Sequence, residues 1–197
     1  MTSLTARPLV GLVGLAVFGL AACTSSSASP AAESTSSSGT TAAGEPQGGE
    51  APAVLYSDAR YHYRIEAPGH MTANADGSAT FIGPSERLEI VVVQGSQASD
   101  PAAMAAKDQS ALTGTLTGFR KVSSPAATTL GGQRVVKFTY SWTAGTNSVT
   151  GKPLQLTSVR YYFAKDTTQV AVVTYGVVTN QYDPEGADDL ARTFRWQ

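Results

Sequence analysis

Large aromatic side chains are confined to the part of this 197-residue chain that follows residue 53. All 8 tyrosines and both tryptophans lie there, and Phe18 is the only one of 6 phenylalanines that precedes it. A core needs large apolar side chains to offset the entropy lost when the backbone is ordered. The sequence therefore predicts one folded domain over residues 53–197, a length typical of a single domain.

The segment from residue 24 to residue 52 has a different composition. It consists of Ser, Thr, Ala, Gly, Pro and Gln, with a few glutamates as its only charged residues. Such a segment cannot bury enough apolar surface to fold, so residues 23–52 are predicted to form a disordered stalk. A coil of this length has an end-to-end distance on the order of 30 Å. A bare spacer is one interpretation, and an O-glycosylated stalk is the alternative.

The N-terminal part of the chain has the layout of an export signal. Arg7 precedes an apolar run, Leu9 to Leu20, which is too short and too Gly-rich to span a bilayer. Small residues ending at Ala22 then lead to Cys23, the single cysteine of the chain. We predict a signal peptide over residues 1–22, cleaved between Ala22 and Cys23. A lone thiol in an exported protein has no disulfide partner, which favours another role for this cysteine.

The four residues that end at Cys23 read Leu-Ala-Ala-Cys, which resembles the lipobox of bacterial lipoproteins. This resemblance implies a diacylglyceryl thioether on Cys23, with fatty acyl chains such as palmitate. Two acyl chains anchor a protein stably, because each buried methylene contributes about 0.8 kcal/mol. The mature protein would then be held on the extracytoplasmic face of the cell membrane. The alternative is a plain secreted protein in which the cysteine has no such function.

Composition and motifs limit the kinds of binding and catalytic site that the domain can contain. The chain has 14 Lys and Arg against 15 Asp and Glu, so it lacks the strongly basic balance of a nucleic-acid-binding protein. His62 and His70 are its only histidines, and the sequence contains no recognised motif for metal ligation, phosphate binding or a catalytic nucleophile. We expect His62 on the solvent face of an edge strand and His70 in a turn. We therefore predict no nucleic-acid partner, no catalytic residue, no metal and no cofactor.

Hydrophobic periodicity and turn residues predict an α+β domain. Asp100-Pro101 and Asp183-Pro184 each place a capping residue before a first-turn proline, so we expect a helix to begin at each pair. The three strands before the final helix follow one another through turns and should form an antiparallel meander. The predicted strands are 62–67, 78–82, 87–94, 134–142, 154–164 and 169–178, and the predicted helices are 101–113 and one beginning at residue 184.

Two of these elements carry expectations about packing. The strand from Arg87 to Gln94 is apolar on both faces toward its end, which predicts that it is covered on both sides. The final helix has an apolar stripe that ends at Phe194 and should lie on the sheet. On its polar side, Asp188 is predicted to pair with Arg192 at i+4.

Several short sequences link the domain to a known family. They are Tyr63-Arg64-Ile65 before Pro68-Gly69, the strand from Leu88 to Val93, Gly131-Gly132, Tyr161-Tyr162-Phe163 and the closing Ala191-Arg192-Thr193-Phe194. Together with the order of elements, they resemble the PsbP/Mog-like domain, and especially the LpqN-type lipoproteins of high-GC Gram-positive envelopes. The resemblance implies an antiparallel sheet flanked by helices in an α/β/α sandwich. It also implies a non-enzymatic domain that docks onto protein partners.

The candidate binding surface consists of four aromatic residues of the meander and one arginine, namely Tyr140, Trp142, Arg160, Tyr161 and Tyr162. Tyr161 and Tyr162 are adjacent in one strand and must point to opposite faces. If one face is core, the other ring needs a helix, a ligand or a partner. Tyrosine is enriched at binding hot spots, although cross-strand packing is the alternative. Arg160 would either anchor an anionic ligand or flank the core.

Three functional hypotheses remain open from the sequence. The preferred one is a lipid-anchored, extracytoplasmic, non-catalytic adaptor that binds an envelope protein. The second is a carrier or sensor of a small amphiphilic ligand held between the sheet and a helix. The third is an envelope hydrolase, which requires a histidine within hydrogen-bond reach of a serine or a metal. The sequence leaves the oligomeric state undetermined.

Overall fold

The computed structural model describes residues 53–74, 77–83, 85–98, 100–147 and 149–197. The predicted signal peptide (1–22), its cleavage between Ala22 and Cys23, the lipidation of Cys23 and the stalk (23–52) lie outside the described residues. They therefore remain predictions.

Two antiparallel sheets and two α-helices make up the described domain. The strands are β1 (Ala53–Asp58), β2 (Tyr63–Pro68), β3 (His70–Ala73), β4 (Ala79–Ile82), β5 (Glu86–Gln94), β6 (Arg120–Lys121), β7 (Ala126–Leu130), β8 (Gln133–Thr146), β9 (Pro153–Ala164), β10 (Gln169–Val178) and β11 (Arg195–Trp196). The helices are α1 (Pro101–Thr115) and α2 (Pro184–Arg192), with short 3-10 turns at Ser96–Ala98 and Thr179–Gln181. The predicted α+β class is confirmed.

The larger sheet has eight strands in the order β3-β4-β5-β10-β9-β8-β6, and β7 also pairs with β8. The predicted meander β8-β9-β10 is its centre, and every pairing is antiparallel. The smaller sheet has the order β1-β2-β11. Pro68 and Gly69 carry the chain from the smaller sheet into β3 of the larger one.

Each face of the larger sheet is covered by a separate apolar cluster. On one face the cluster consists of Ala105 of α1 together with Ala98, Val136, Phe138, Tyr140, Tyr162, Val170 and Val172. The opposite face packs against both α2 and the smaller sheet, around residues that include Tyr63, Ile65, Phe81, Leu88, Ile90, Val159, Tyr161, Phe163, Ala187, Ala191 and Phe194. The predicted helix on each face is therefore confirmed. The smaller sheet, which shares a layer with α2, is an addition to the predicted sandwich.

The two helices begin as the sequence predicts. The Asp100 side chain accepts hydrogen bonds from Ala102 N at 2.9 Å and Ala103 N at 3.1 Å. The Asp183 side chain accepts one from Glu185 N at 3.0 Å. These bonds satisfy amide groups that have no partner within the helix. Neither helix of the described ranges is long and apolar enough to cross a membrane.

The structure corrects the predicted positions of both histidines. His70 belongs to β3 and not to a turn. This strand was not predicted from the sequence pattern, because all four of its residues are exposed. His62 lies in the turn between β1 and β2, at φ 57°, and not in a strand. Its N–H donates to the Asp58 carbonyl at 3.0 Å, which closes that turn.

Candidate functional site

Strand β9 places two adjacent tyrosines on opposite faces of the larger sheet, and a helix covers each of them. Both Tyr161 and Tyr162 are 0% exposed. The Tyr161 hydroxyl donates to Asp188 Oδ1 on α2 at 2.9 Å, and the Tyr162 hydroxyl donates to Asp108 Oδ2 on α1 at 2.8 Å. The sequence left a helix, a ligand or a partner as alternatives for the second tyrosine ring. In the structure a helix packs against it.

Each aspartate also binds a cation from the sheet. Lys137 Nζ lies 2.8 and 2.7 Å from the two carboxylate oxygens of Asp188. Arg160 Nη1 lies 3.0 Å from Asp108 Oδ2. We call Asp188, Lys137 and Tyr161 the α2 clasp, and Asp108, Arg160 and Tyr162 the α1 clasp. Each clasp joins one helix to the sheet.

The tyrosines act in the clasps as neutral donors. Burial raises the pKa of Tyr161, and the negative charge of Asp188 raises it further. Burial and Asp108 act in the same way on the pKa of Tyr162. Both hydroxyls therefore stay protonated and available to donate to a carboxylate at neutral pH.

The predicted pair of Asp188 with Arg192 is wrong. Asp188 lies next to the buried Ala187 on the side of α2 that faces the sheet, where Lys137 neutralises it. Arg192 pairs with Asp189 on the exposed side of the helix instead.

Removal of the α2 clasp carboxylate should destabilise the domain far more than removal of its neighbour. Asp188→Ala leaves the Tyr161 hydroxyl and the Lys137 ammonium without their acceptor, and we expect a loss of about 2 to 3 kcal/mol. Asp189→Ala is the matched control, because its side chain is 70% exposed and pairs only at the surface, so about 0.5 kcal/mol or less is expected. Urea unfolding of both variants measures the difference. Equal losses would contradict the role of the clasp.

The predicted binding surface is mostly interior. Tyr140 is 3% exposed, and Tyr161 and Tyr162 are 0% exposed, because β8 and β9 are central strands covered on both faces. The Arg160 side chain is 19% exposed, and the Trp142 indole N–H donates to Ser158 Oγ at 3.2 Å. The three tyrosines thus form no exposed surface. Tyr161 also lies on the opposite side of the sheet from the other four residues.

Helix α1 leaves part of its own side of the larger sheet uncovered. Residues paired directly across antiparallel strands share a face. One such row runs across four strands through Glu89, Thr174, Arg160 and Phe138. The next row runs through Arg87, Gly176, Ser158 and Tyr140. Phe138 and Tyr140 belong to the cluster on the α1 side. The β5 and β10 ends of these rows extend beyond the helix. We call the uncovered part the open face, and it consists of Ile82, Arg87, Glu89, Val91, Thr174 and Gly176.

The open face combines apolar and charged groups. Ile82 is 49% and Val91 39% exposed. Arg87 Nη2 and Glu89 Oε1 are 3.9 Å apart, and their side chains are 34% and 37% exposed. A Cβ added to Gly176 would have only Ser158 Oγ, at 3.1 Å, and the Arg87 carbonyl, at 4.0 Å, within contact distance. The added Cβ would meet Ser158 closely, which favours a glycine at this position of the open face.

The prediction that residues 87–94 are covered on both sides is wrong for the α1 side. Leu88 and Ile90 are buried beneath the smaller sheet, but Val91, on the other side, is exposed. Val93, near the far end of the strand, is partly buried against the apolar cluster on the α1 side. The available sequence signal is the pair Arg87 and Glu89, which puts charge at alternate positions of an otherwise apolar strand.

A concave feature lies at the end of the β8–β9 hairpin. It is a recess of about 360 Å³. The residues that line it are Asn147, Thr150, Lys152, Pro153, Leu154, Gln155, Val178, Thr179 and Asn180. The carrier hypothesis places its ligand between the sheet and a helix, whereas this recess lies at a strand end. It gives that hypothesis no support.

The described residues do not assemble the groups that the hydrolase hypothesis requires. Within the described ranges, no hydrogen bond joins the side chain of His62 or His70 to a serine. The same ranges contain no group of three or more His, Cys, Asp or Glu side chains placed to hold a metal ion.

No sequence family matches the chain, and no curated protein matches it. Among solved structures, it is similar to the Ran-binding protein Mog1p of Saccharomyces cerevisiae, with 10% identity over 74% of this chain and 96% of that chain and a TM-score of 0.49. It is also similar to LpqN of Mycobacterium tuberculosis, a protein involved in cell envelope biogenesis, with 18% identity over 77% and 83% of the two chains and a TM-score of 0.38.

A Bacteroides thetaiotaomicron protein matches with 10% identity over 75% of this chain and a TM-score of 0.49. This chain spans 49% of that protein, about half of its length. Identities of 10 to 18% with TM-scores of 0.38 to 0.49 assign the chain to no family.

Proposed function

We propose that this protein is a lipid-anchored, extracytoplasmic binding module that docks onto a protein of the cell envelope and carries out no reaction itself. The open face is the docking surface. The observation that carries the proposal is the contrast between the two filled apolar clusters and this uncovered part of the sheet.

The packing of the clusters favours a surface over an internal ligand site. Phe138, Tyr161 and Tyr162 are among the largest side chains of the clusters and are 0% exposed. Their volume is taken up by packing against the helices. A partner can therefore make contact only from outside, and uncovered apolar residues rimmed by charge are typical of protein interaction sites.

The N-terminal sequence supports the location. The apolar run that ends before Cys23, and the absence of any second cysteine in the chain, fit export followed by lipidation. The stalk would then hold the domain on the order of 30 Å from the lipid surface. At that distance the open face can reach the extracytoplasmic part of a membrane-bound protein.

Site-specific photo-crosslinking in cells that make the full chain tests the docking surface. A crosslinking residue at Val91, on the open face, should give an adduct with one specific protein. The same residue at Glu185, exposed on α2 and on the other side of the sheet, is the matched control and should give none. Ile82→Asp places a charge on the open face, and we expect it to reduce the Val91 adduct about tenfold, which corresponds to about 1.4 kcal/mol of binding.

Ile82 is 49% exposed, so this substitution should leave the fold intact. Equal adducts from positions 91 and 185, or a Val91 adduct that is unchanged by Ile82→Asp, would contradict docking through the open face.

A further inference from the structure

The two sheets end in four edges within the described residues, and three of these edges are short or interrupted. Strand β3 has four residues, β11 has two, and β6 and β7 divide the remaining edge of the larger sheet into pieces of two and five residues. Short, broken edges are how soluble proteins avoid pairing with other strands.

The fourth edge, β1, has none of these protections. It pairs with β2 without a break, from Ala53 opposite Pro68 to Asp58 opposite Tyr63. The described residues provide no strand on its other side. Its six residues contain no lysine, arginine or proline, and the one charge is at its last position, Asp58. Alternate N–H and C=O groups of such a strand point outward and can pair with another chain.

The side chains of β1 add apolar area to this edge. Tyr56 points toward the larger sheet, where its ring lies 5.5 Å from that of Phe81. Val54 is on the same side and is 46% exposed, and Leu55 is on the opposite side and is 62% exposed. The edge thus offers unpaired backbone groups together with apolar side chains.

We infer that β1 pairs with β1 of a second copy of this protein, antiparallel and about a two-fold axis at Leu55. In this register Leu55 lies opposite Leu55 of the second copy, and Val54 lies opposite Tyr56. Ala53 lies opposite Ser57, so small residues face small ones and apolar residues face apolar ones. Cross-strand pairs of these types stabilise a sheet. Asp58 falls beyond the paired residues, so like charges do not meet, and the two smaller sheets become one continuous sheet.

The position of the anchor makes a second copy the fitting occupant, and in this respect the inference rests on the proposed function. The chain enters β1 directly from residue 52, at the end of the predicted stalk. Five paired residues on each side bury less area than the roughly 1,000 Å² of a stable interface. Pairing therefore needs a high local concentration, which tethering on one membrane surface provides. Stalks with a reach on the order of 30 Å allow both copies to share that surface.

Cysteine crosslinking of the full chain in cells tests this pairing. Leu55→Cys should form a disulfide with its counterpart when the cells are treated with copper phenanthroline, because directly opposed residues of antiparallel strands are within disulfide range. On a non-reducing gel the membrane fraction should shift to twice the monomer mass, and it should return to the monomer with reductant. Glu185→Cys, exposed on α2, should remain a monomer.

Two further pairs of substitutions test the register. A53K with S57K sets lysines opposite each other at two positions, and the Leu55→Cys dimer should be lost. A53K with S57E sets opposite charges there, and the dimer should persist. Both positions are exposed, so both pairs should fold alike.

Three results would overturn the inference: a monomeric Leu55→Cys chain, an adduct with a different protein, or equal dimer from Glu185→Cys. Fractionation of the same sample reports separately on the anchor. A chain recovered from the medium would count against the anchor in the proposed function, whichever species the gel shows.

Discussion

Phe194→Ala should lower the free energy of unfolding by about 3 to 5 kcal/mol, the range for removal of a large aromatic side chain from a core. Phe194 lies two residues after the end of α2 and is 0% exposed. Its ring lies 4.5 Å from that of Phe163 in the larger sheet and 5.5 Å from that of Tyr63 in the smaller sheet. It also lies 5.3 Å from the ring of Trp196. One side chain therefore contacts rings of both sheets directly after the C-terminal helix, and its removal would leave a cavity among them.

Denaturant unfolding of purified protein measures this loss. Phe194→Leu is the comparison, because it keeps much of the apolar volume and should lose less than Phe194→Ala. A loss below about 1 kcal/mol for Phe194→Ala would show that the layers are held together elsewhere.

Gly69→Ala should be the second severe substitution. Gly69 has φ +82°, and an added Cβ would lie 2.1 Å from the carbonyl oxygen of Ile82 and 2.8 Å from Gly83 N, both backbone atoms. The chain passes from the smaller sheet to the larger one at this residue, so neither segment can move away freely. We expect the free energy of unfolding to fall by about 1 to 2 kcal/mol because of the left-handed backbone. The collision with the Ile82 and Gly83 backbone should lower it by about 1 to 3 kcal/mol more.

Gly132→Ala is the matched control for this substitution. Gly132 has φ +81°, and an added Cβ would meet nothing within 4 Å. It should therefore show the backbone contribution alone. Equal losses of stability for the two variants would mean that the approach of Gly69 to Ile82 is not tight.

Elements with strong local signals could be predicted from the sequence. Strand β10 spans the predicted residues 169–178, and both helices begin at the predicted Asp-Pro pairs, because burial alternation and capping are local properties. Strands β3 and β6 could not be found, since all of their residues are exposed and leave no alternating pattern. Strand β1 was not predicted for the same reason, because its first three residues are all exposed.

The site could not be predicted because its parts come from distant segments. Asp108 meets Arg160 across 52 residues of sequence, and Lys137 meets Asp188 across 51. The sequence correctly placed Tyr161 and Tyr162 on opposite faces, but tertiary packing decided that helices cover both. The open face depends on the path of α1 across the sheet, which no local pattern determines.

The proposed location at the membrane requires lipidation of Cys23, and mass spectrometry of the N-terminal peptide of the mature chain detects this modification. The predicted result is a peptide that begins at Cys23 and carries a diacylglyceryl group, recovered from the membrane fraction. A mature chain that begins elsewhere, or an unmodified Cys23 in protein released to the medium, would contradict it.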